Sequence, residues 1–166
     1  VNVPLSSEPW LQGPLPGVHA AIAAVLRALE QVANDLPHFT QGLREEHVWA
    51  ALAGESTIGF QLRHIAGSVD RLTTYLRGEQ LNEQQLHALT AEHHAGATLA
   101  QLLFEADEAI DRASVAIGKL AESDFGADRF VGRAKLPVTA IGLAIHIAEH
   151  TQRHTGQLIL LCRIAR

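Results

Sequence analysis

In Ala140-Ile-Gly-Leu143-Ala-Ile-His146-Ile147-Ala-Glu-His150-Thr-Gln-Arg-His154-Thr-Gly-Gln157-Leu-Ile-Leu-Leu161-Cys-Arg-Ile164, one set of positions returns at alternating steps of three and four. Ala140, Leu143, Ile147, Leu161 and Ile164 hold the apolar places in that set, and His150, His154 and Gln157 hold the rest. Residues three and four apart share one face of an α-helix. The stretch therefore predicts a helix that begins just after Pro137 and carries polar groups in its apolar stripe.

Three further segments repeat the rhythm. Val18, Ile22, Val25, Leu29, Val32 and Leu36 predict a first helix, with Pro37 as its stop because proline lacks the N–H that a helix interior uses. Ile58, Leu62, Ile65, Val69, Leu72 and Leu76 predict a second, with Ser56 as N-cap and Gly78 at its end. Thr98 and Gln101 form a capping-box pair at the head of a third, whose stripe is Leu99, Leu103, Ala106, Ile110, Ala113, Ile117 and Leu120 and which frays near Asp124. Period-two alternation between hairpin turns is missing, so no strand is predicted. Amphipathic helices bury their stripes against one another, so the expected fold is all-α, a four-helix bundle. Two connections are long, Pro37 to Glu55 and Glu79 to Ala97, and loops of that length usually serve a function or a crossover. Both are expected to cap the bundle near any site, with Trp49 packing in the first.

A single domain is expected over residues 1–166, with 1–16, rich in proline, as an extended N-terminal arm. With 47% hydrophobic but only 5% aromatic residues, the core has to be built from Leu, Ile, Val and Ala, which suits helix packing. The 13 basic and 18 acidic residues leave a net charge of -5, with no Lys/Arg cluster, so nucleic acid is not an expected partner. No run approaches the roughly 20 apolar residues of a membrane span. Val1-Asn-Val-Pro-Leu-Ser-Ser-Glu-Pro-Trp10 has neither a basic start nor a long apolar run, so no secretory signal is predicted. The single cysteine, Cys162, fits a reducing compartment and reads as an inert core thiol; the expected location is cytoplasmic.

Polar groups in successive layers of a stripe are costly, about 1–3 kcal/mol for each one left unsatisfied. A divalent metal on neutral ring nitrogens would offset that cost at His150 and His154. His146 lies one position before Ile147, about 90° from the stripe centre, and is the candidate acid or base beside the site. Zincins are excluded, because Thr151 rather than Glu follows His150, and carboxylate-bridged di-iron bundles are excluded by the lack of any Glu-x-x-His. A third histidine ligand has to come from elsewhere, and the pool is His19, His38, His47, His64, His87, His93 and His94. His64 is mid-helix, but spacing puts it about 130° from the centre of its stripe, toward solvent. A histidine network hydrogen-bonded without metal is a further alternative.

Gly59-Phe-Gln-Leu-Arg-His64-Ile-Ala-Gly-Ser-Val-Asp-Arg71, together with His146-Ile-Ala-Glu-His150-Thr-Gln-Arg-His154-Thr-Gly-Gln157, resembles the DinB/YfiT-like superfamily of bacterial metal-binding four-helix bundles. The Glu-His-x-x-x-His-x-Gly-Gln ending is the sharpest part, while helix order and loop lengths extend the resemblance over nearly the whole chain. It implies a histidine on the second helix and a His-x-x-x-His pair on the fourth as ligands, here His64, His150 and His154, with water or substrate completing the set. Gly67 would keep a cleft open beside His64. Relatives of this kind include mycothiol-dependent maleylpyruvate isomerase, bacillithiol transferases and metal-dependent hydrolases. The histidine pair itself leads to the expectation of Zn2+, Ni2+ or a similar divalent ion as cofactor, and the resemblance admits a low-molecular-weight thiol as co-substrate.

An ion on three neutral imidazoles keeps its double charge and lowers the pKa of bound water toward about 7, or holds a thiol as thiolate. The expected activity is a thiol S-transferase or hydrolase acting on a small molecule. The alternative is a non-catalytic, metal-stabilised bundle serving as a binding or stress-associated dimer. Glu149 and Asp70 read as solvated charges, and Gln157 as either a support for a ligand or a structural hydrogen bond. Arg63, Arg71 and Arg153 would bind an anionic substrate only if they line a cleft. A homodimer is expected from the resemblance and from Ala20, Ala21, Ala23, Ala24 and the run Leu158 to Leu161.

Overall fold

Each of the four stripes becomes a long helix in the computed structural model, which describes residues 8–51, 54 and 56–166. In chain order the elements are α1 (Ala20–Thr40), α2 (Glu45–Val48), α3 (Ile58–Leu76), α4 (Glu83–Thr90), α5 (Leu99–Gly118), β1 (Asp128–Val131), β2 (Leu136–Thr139) and α6 (Ala140–Ile164). Of the expected arm, residues 1–7 lie outside the described residues. Pro9–Gln12 forms a 3-10 turn rather than extended chain, and Arg27 of α1 donates to Gln12 Oε1 at 3.1 Å and to the Gly13 carbonyl at 3.3 Å.

Several predicted boundaries move. α1 continues through Pro37 to Thr40. A proline near the end of a helix removes only the bond its N–H would have made to Ala33. Continuing buries Thr40, whose hydroxyl donates to the Leu36 carbonyl at 2.7 Å. The N-cap of α3 is Thr57 rather than Ser56; its Oγ1 accepts from the Phe60 N–H at 3.0 Å. α5 starts with the expected Thr98–Gln101 capping box but stops at Gly118, and Glu122–Asp124 forms a separate 3-10 turn.

The prediction of no strands is corrected by the β1–β2 hairpin, antiparallel with Asp128 opposite Thr139 and Phe130 opposite Pro137. Four-residue strands are too short for alternation to register. Pro137 is tolerated because a two-stranded ribbon leaves one edge of each strand unpaired. The hairpin feeds directly into α6, whose N-cap Thr139 accepts from the Gly142 N–H at 3.1 Å.

α3 and α1 each pack against both α5 and α6, so α1 faces α3 across one diagonal of the bundle and α5 faces α6 across the other. The connection holding α2 and the one holding the hairpin both cross a diagonal, whereas the α4 connection joins neighbours. Ile22, Leu29, Leu62, Ile65, Leu102, Ile110, Ile147 and Leu158 form the centre of the core. No helix among the described residues is long and apolar enough to cross a membrane.

The stripe of α6 departs from its predicted course after Ile147. Thr151, Thr155, Leu158, Leu161 and Cys162 are buried, His150 and His154 are half-buried, and Gln157 and Ile164 are exposed. A straight helix at 3.6 residues per turn drifts by about 20° per heptad from the alternation of threes and fours. Thr151 and Thr155 can occupy core places because their hydroxyls donate to the carbonyls of Ile147 and Thr151, at 2.6 and 2.9 Å, and leave the methyl groups to pack. The histidines thus lie on the flank of the core rather than inside it.

Candidate metal centre

α3 is buried over most of its circumference, with Gln61, Ser68, Arg71, Thr73 and Thr74 covered as well as its apolar stripe. A helix enclosed on several sides has little solvent face, and the side that spacing assigns to water is covered here by the flank of α6 and the α4 connection. Gln61 meets His154 and Gln157 of α6, and His64 meets His150, so the two helices run antiparallel at this level.

His64, His150 and His154 converge, each offering one ligand nitrogen within 4.8 Å of the others. His64 Nε2 lies 3.1 Å from His150 Nε2, and its Nδ1 lies 2.8 Å from Glu92 Oε2. His154 Nδ1 lies 2.8 Å from Gln61 Oε1. Gln61 is oriented in turn, since its Nε2 donates to Ser56 Oγ at 2.8 Å and to Gln157 Oε1 at 3.0 Å. Both acceptors require the proton on Nδ1 of their histidine, which in a neutral ring leaves Nε2 with a lone pair.

The donor set fits a divalent ion. Nitrogens about 2.0–2.1 Å from a tetrahedral centre stand about 3.3–3.4 Å from one another, close to the observed His64–His150 edge. Burial lowers the pKa of His154 to about 4, with His64 and His150 adding to the effect, and burial followed by His64 lowers that of His150. Neutral imidazole is the ligand form. Burial by itself would raise the Glu92 carboxyl, but the hydrogen bond with His64 and the Arg71 guanidinium outweigh it and hold the group below the usual range.

The remaining candidates sort by position. His146 is half-exposed outside the cluster, its ring centroid 5.6 Å from that of His150 and its Nδ1 3.6 Å from Glu149. Gln157 supports His154 at one remove, through Gln61. Arg63 lies over the Trp49 ring at 4.8 Å and donates to the carbonyls of Ala91 and His94, and Arg71 donates to Glu92 Oε1 at 2.7 Å. Both therefore tie down the α4 connection; Arg153 pairs with Glu149 at 3.1 Å. His93 stacks on Phe60, 4.2 Å between centroids, and Phe60 lies against His64 at 5.4 Å.

A cleft does open at Gly67, lined also by Arg63, Asp70 and Glu92, but His64 is not part of its lining. A Cβ there would come within 2.7 Å of Arg71 Nη1 and 2.9 Å of Glu92 Oε1, so the bare backbone accommodates that ion pair. Sequence reasoning missed Gln61 and Glu92. Gln61 carried a usable signal, a polar side chain one helical turn before His64. Glu92 carried none, because it comes from a connection with no fixed spacing to α3.

A model of the DinB superfamily matches residues 21–158. Among solved structures, the chain is similar to YfiT from Bacillus subtilis, described as "a probable metal-dependent hydrolase with an unusual four-helix bundle topology". The TM-score is 0.63 at 16% identity, covering 91% of each chain. At that identity the likeness bears on the fold. No curated protein matches the sequence.

Proposed function

Since the chain belongs to the DinB superfamily, we propose that His64, His150 and His154 bind a divalent metal, Zn2+ or Ni2+, at which a small-molecule substrate is attacked by water or a thiol. The observation that carries this reading is the convergence of three imidazole nitrogens within 4.8 Å, two with their Nδ1 positions already engaged. A divalent ion held there would supply the positive charge that favours the deprotonated form of water or of a low-molecular-weight thiol near neutral pH. The chain's own residues orient the ligands, and burial favours the neutral form of His150 and His154. His146, half-exposed one turn from His150, is the group available to take or return a proton.

Protein purified without a histidine tag should hold about one equivalent of Zn2+ or Ni2+ per chain, by elemental analysis, because an all-nitrogen site suits those ions. The double variant His150→Ala, His154→Ala should hold none, and equal metal content in both would overturn the reading. Turnover of esters against thiol conjugates separates hydrolase from S-transferase. In whichever assay responds, His146→Asn should lower turnover about 100-fold or more with metal content unchanged.

A metal that only stabilises the bundle is the competing reading. It is favoured by Glu92, the carboxylate beside the cluster, being engaged by both Arg71 and His64 and so not free to act as a base. A metal-dependent rise in melting temperature with no turnover of either substrate class would select it. Dimerisation is part of the proposal, since Leu160 and Ile164 of α6 are 57% and 50% exposed. A monomeric mass by light scattering would remove that part.

A further inference from the structure

Glu92 is 4% exposed, and a carboxylate is rarely buried so deeply without a task for both oxygens. Oε1 accepts from Arg71 Nη2 at 2.7 Å, and Oε2 faces His64 Nδ1 at 2.8 Å. Arg71 is itself buried, 8% exposed, and the pair lies against α3 where Gly67 offers no Cβ. Among the described residues Glu92 is the only carboxylate hydrogen-bonded to an imidazole of the cluster; His154 has a neutral amide in the corresponding place.

We infer that Glu92, clamped by Arg71 over the bare backbone of Gly67, is the positioning residue of His64, fixing its Nδ1–H tautomer and turning Nε2 toward His150 and His154. An ionised carboxylate only accepts, so the proton between Oε2 and Nδ1 belongs to the ring. The lone pair is thereby placed on Nε2, and the ring is held in one orientation. Glu92→Gln keeps size and shape but leaves a single oxygen for two donors. Arg71, the charged donor, takes that oxygen and turns the amide NH2 toward Nδ1. His64 then accepts at Nδ1 and carries its proton on Nε2, the form that cannot donate a lone pair toward the other two histidines.

For its affinity arm the inference rests on the proposed metal site; the tautomer arm stands without metal. In the full chain free of metal, 1H–15N correlation of the imidazoles should show His64 as Nδ1–H in the wild type and Nε2–H in Glu92→Gln. Zn2+ affinity by chelator competition should fall about 10–100-fold in Glu92→Gln, the usual cost of losing such a support. It should fall in the same sense in Gly67→Ala, whose Cβ displaces the ion pair without touching His64. In a His64→Ala background, Glu92→Gln should change affinity no further. Wild-type tautomer in Glu92→Gln, or an equal affinity loss with and without His64, would overturn the inference. A wild type that binds no Zn2+ yet shows the tautomer change would sink the metal reading and leave the role of Glu92 standing.

Discussion

The imidazole of His154 shows how much of this site is set by surroundings rather than by residue type. Burial first, then the neighbouring His64 and His150, hold its pKa at about 4, while an unfolded histidine titrates near 6.5. Between those values the unfolded chain binds the proton and the folded chain does not, so stability falls with pH in that window. The contribution is complete above about pH 6.5 and is lost as pH falls toward about 4. Metal-free protein should therefore melt at progressively lower temperature from pH 7 to 4.5, and His154→Gln should flatten that slope; an unchanged slope would mean another group controls acid sensitivity. His150 and His154 were legible as a pair because four residues bring side chains onto one helix face. His64 was not, since its angle on α3 predicts solvent and only the resemblance singled it out. Glu92 was invisible, because its bond to His64 spans two elements joined by a long connection.

At the scale of elements, the apolar rhythm located all four long helices, and capping chemistry located the start of α5. The misses have local causes: Pro37 is tolerated on the exposed side of a final turn whose last residue, Thr40, is buried, and four-residue strands carry too little pattern to detect. Trp49 packs in the first long connection as expected, and it also binds that connection to its neighbours. Its indole N–H donates to the Ala97 carbonyl at 2.8 Å, and its ring lies where a Cβ on Gly59 would sit, 2.7 Å away. Cβ contacts under 3.0 Å are not sustained, so the ring or the backbone of α3 has to shift to admit a methyl group. Gly59→Ala should therefore cost about 1–3 kcal/mol in urea unfolding, as overpacking does, despite alanine's higher helix propensity. A more stable variant would show that Trp49 is free to move aside.

For the whole molecule, the two halves of the candidate site come from helices some eighty residues apart in sequence (about 86 between His64 and His150), so a ligand that binds both stabilises the folded chain against the unfolded one. Metal at 100 times its dissociation constant should add about 2.7 kcal/mol, or roughly 5–10 °C in melting temperature for a chain of this size. No shift in the wild type would argue against metal binding to the folded chain, and an equal shift in His150→Ala would place the metal elsewhere. The sequence by itself determined a bundle of four long helices and a histidine pair on the last, because both follow from periodicity within one helix. Tertiary structure alone decided that the pair sits on the flank of the core, that His64 completes it, and that Glu92 and Gln61 hold the rings. Those outcomes depend on which helix faces which across the bundle and on where a long connection folds back, and neither leaves a periodic trace in the chain.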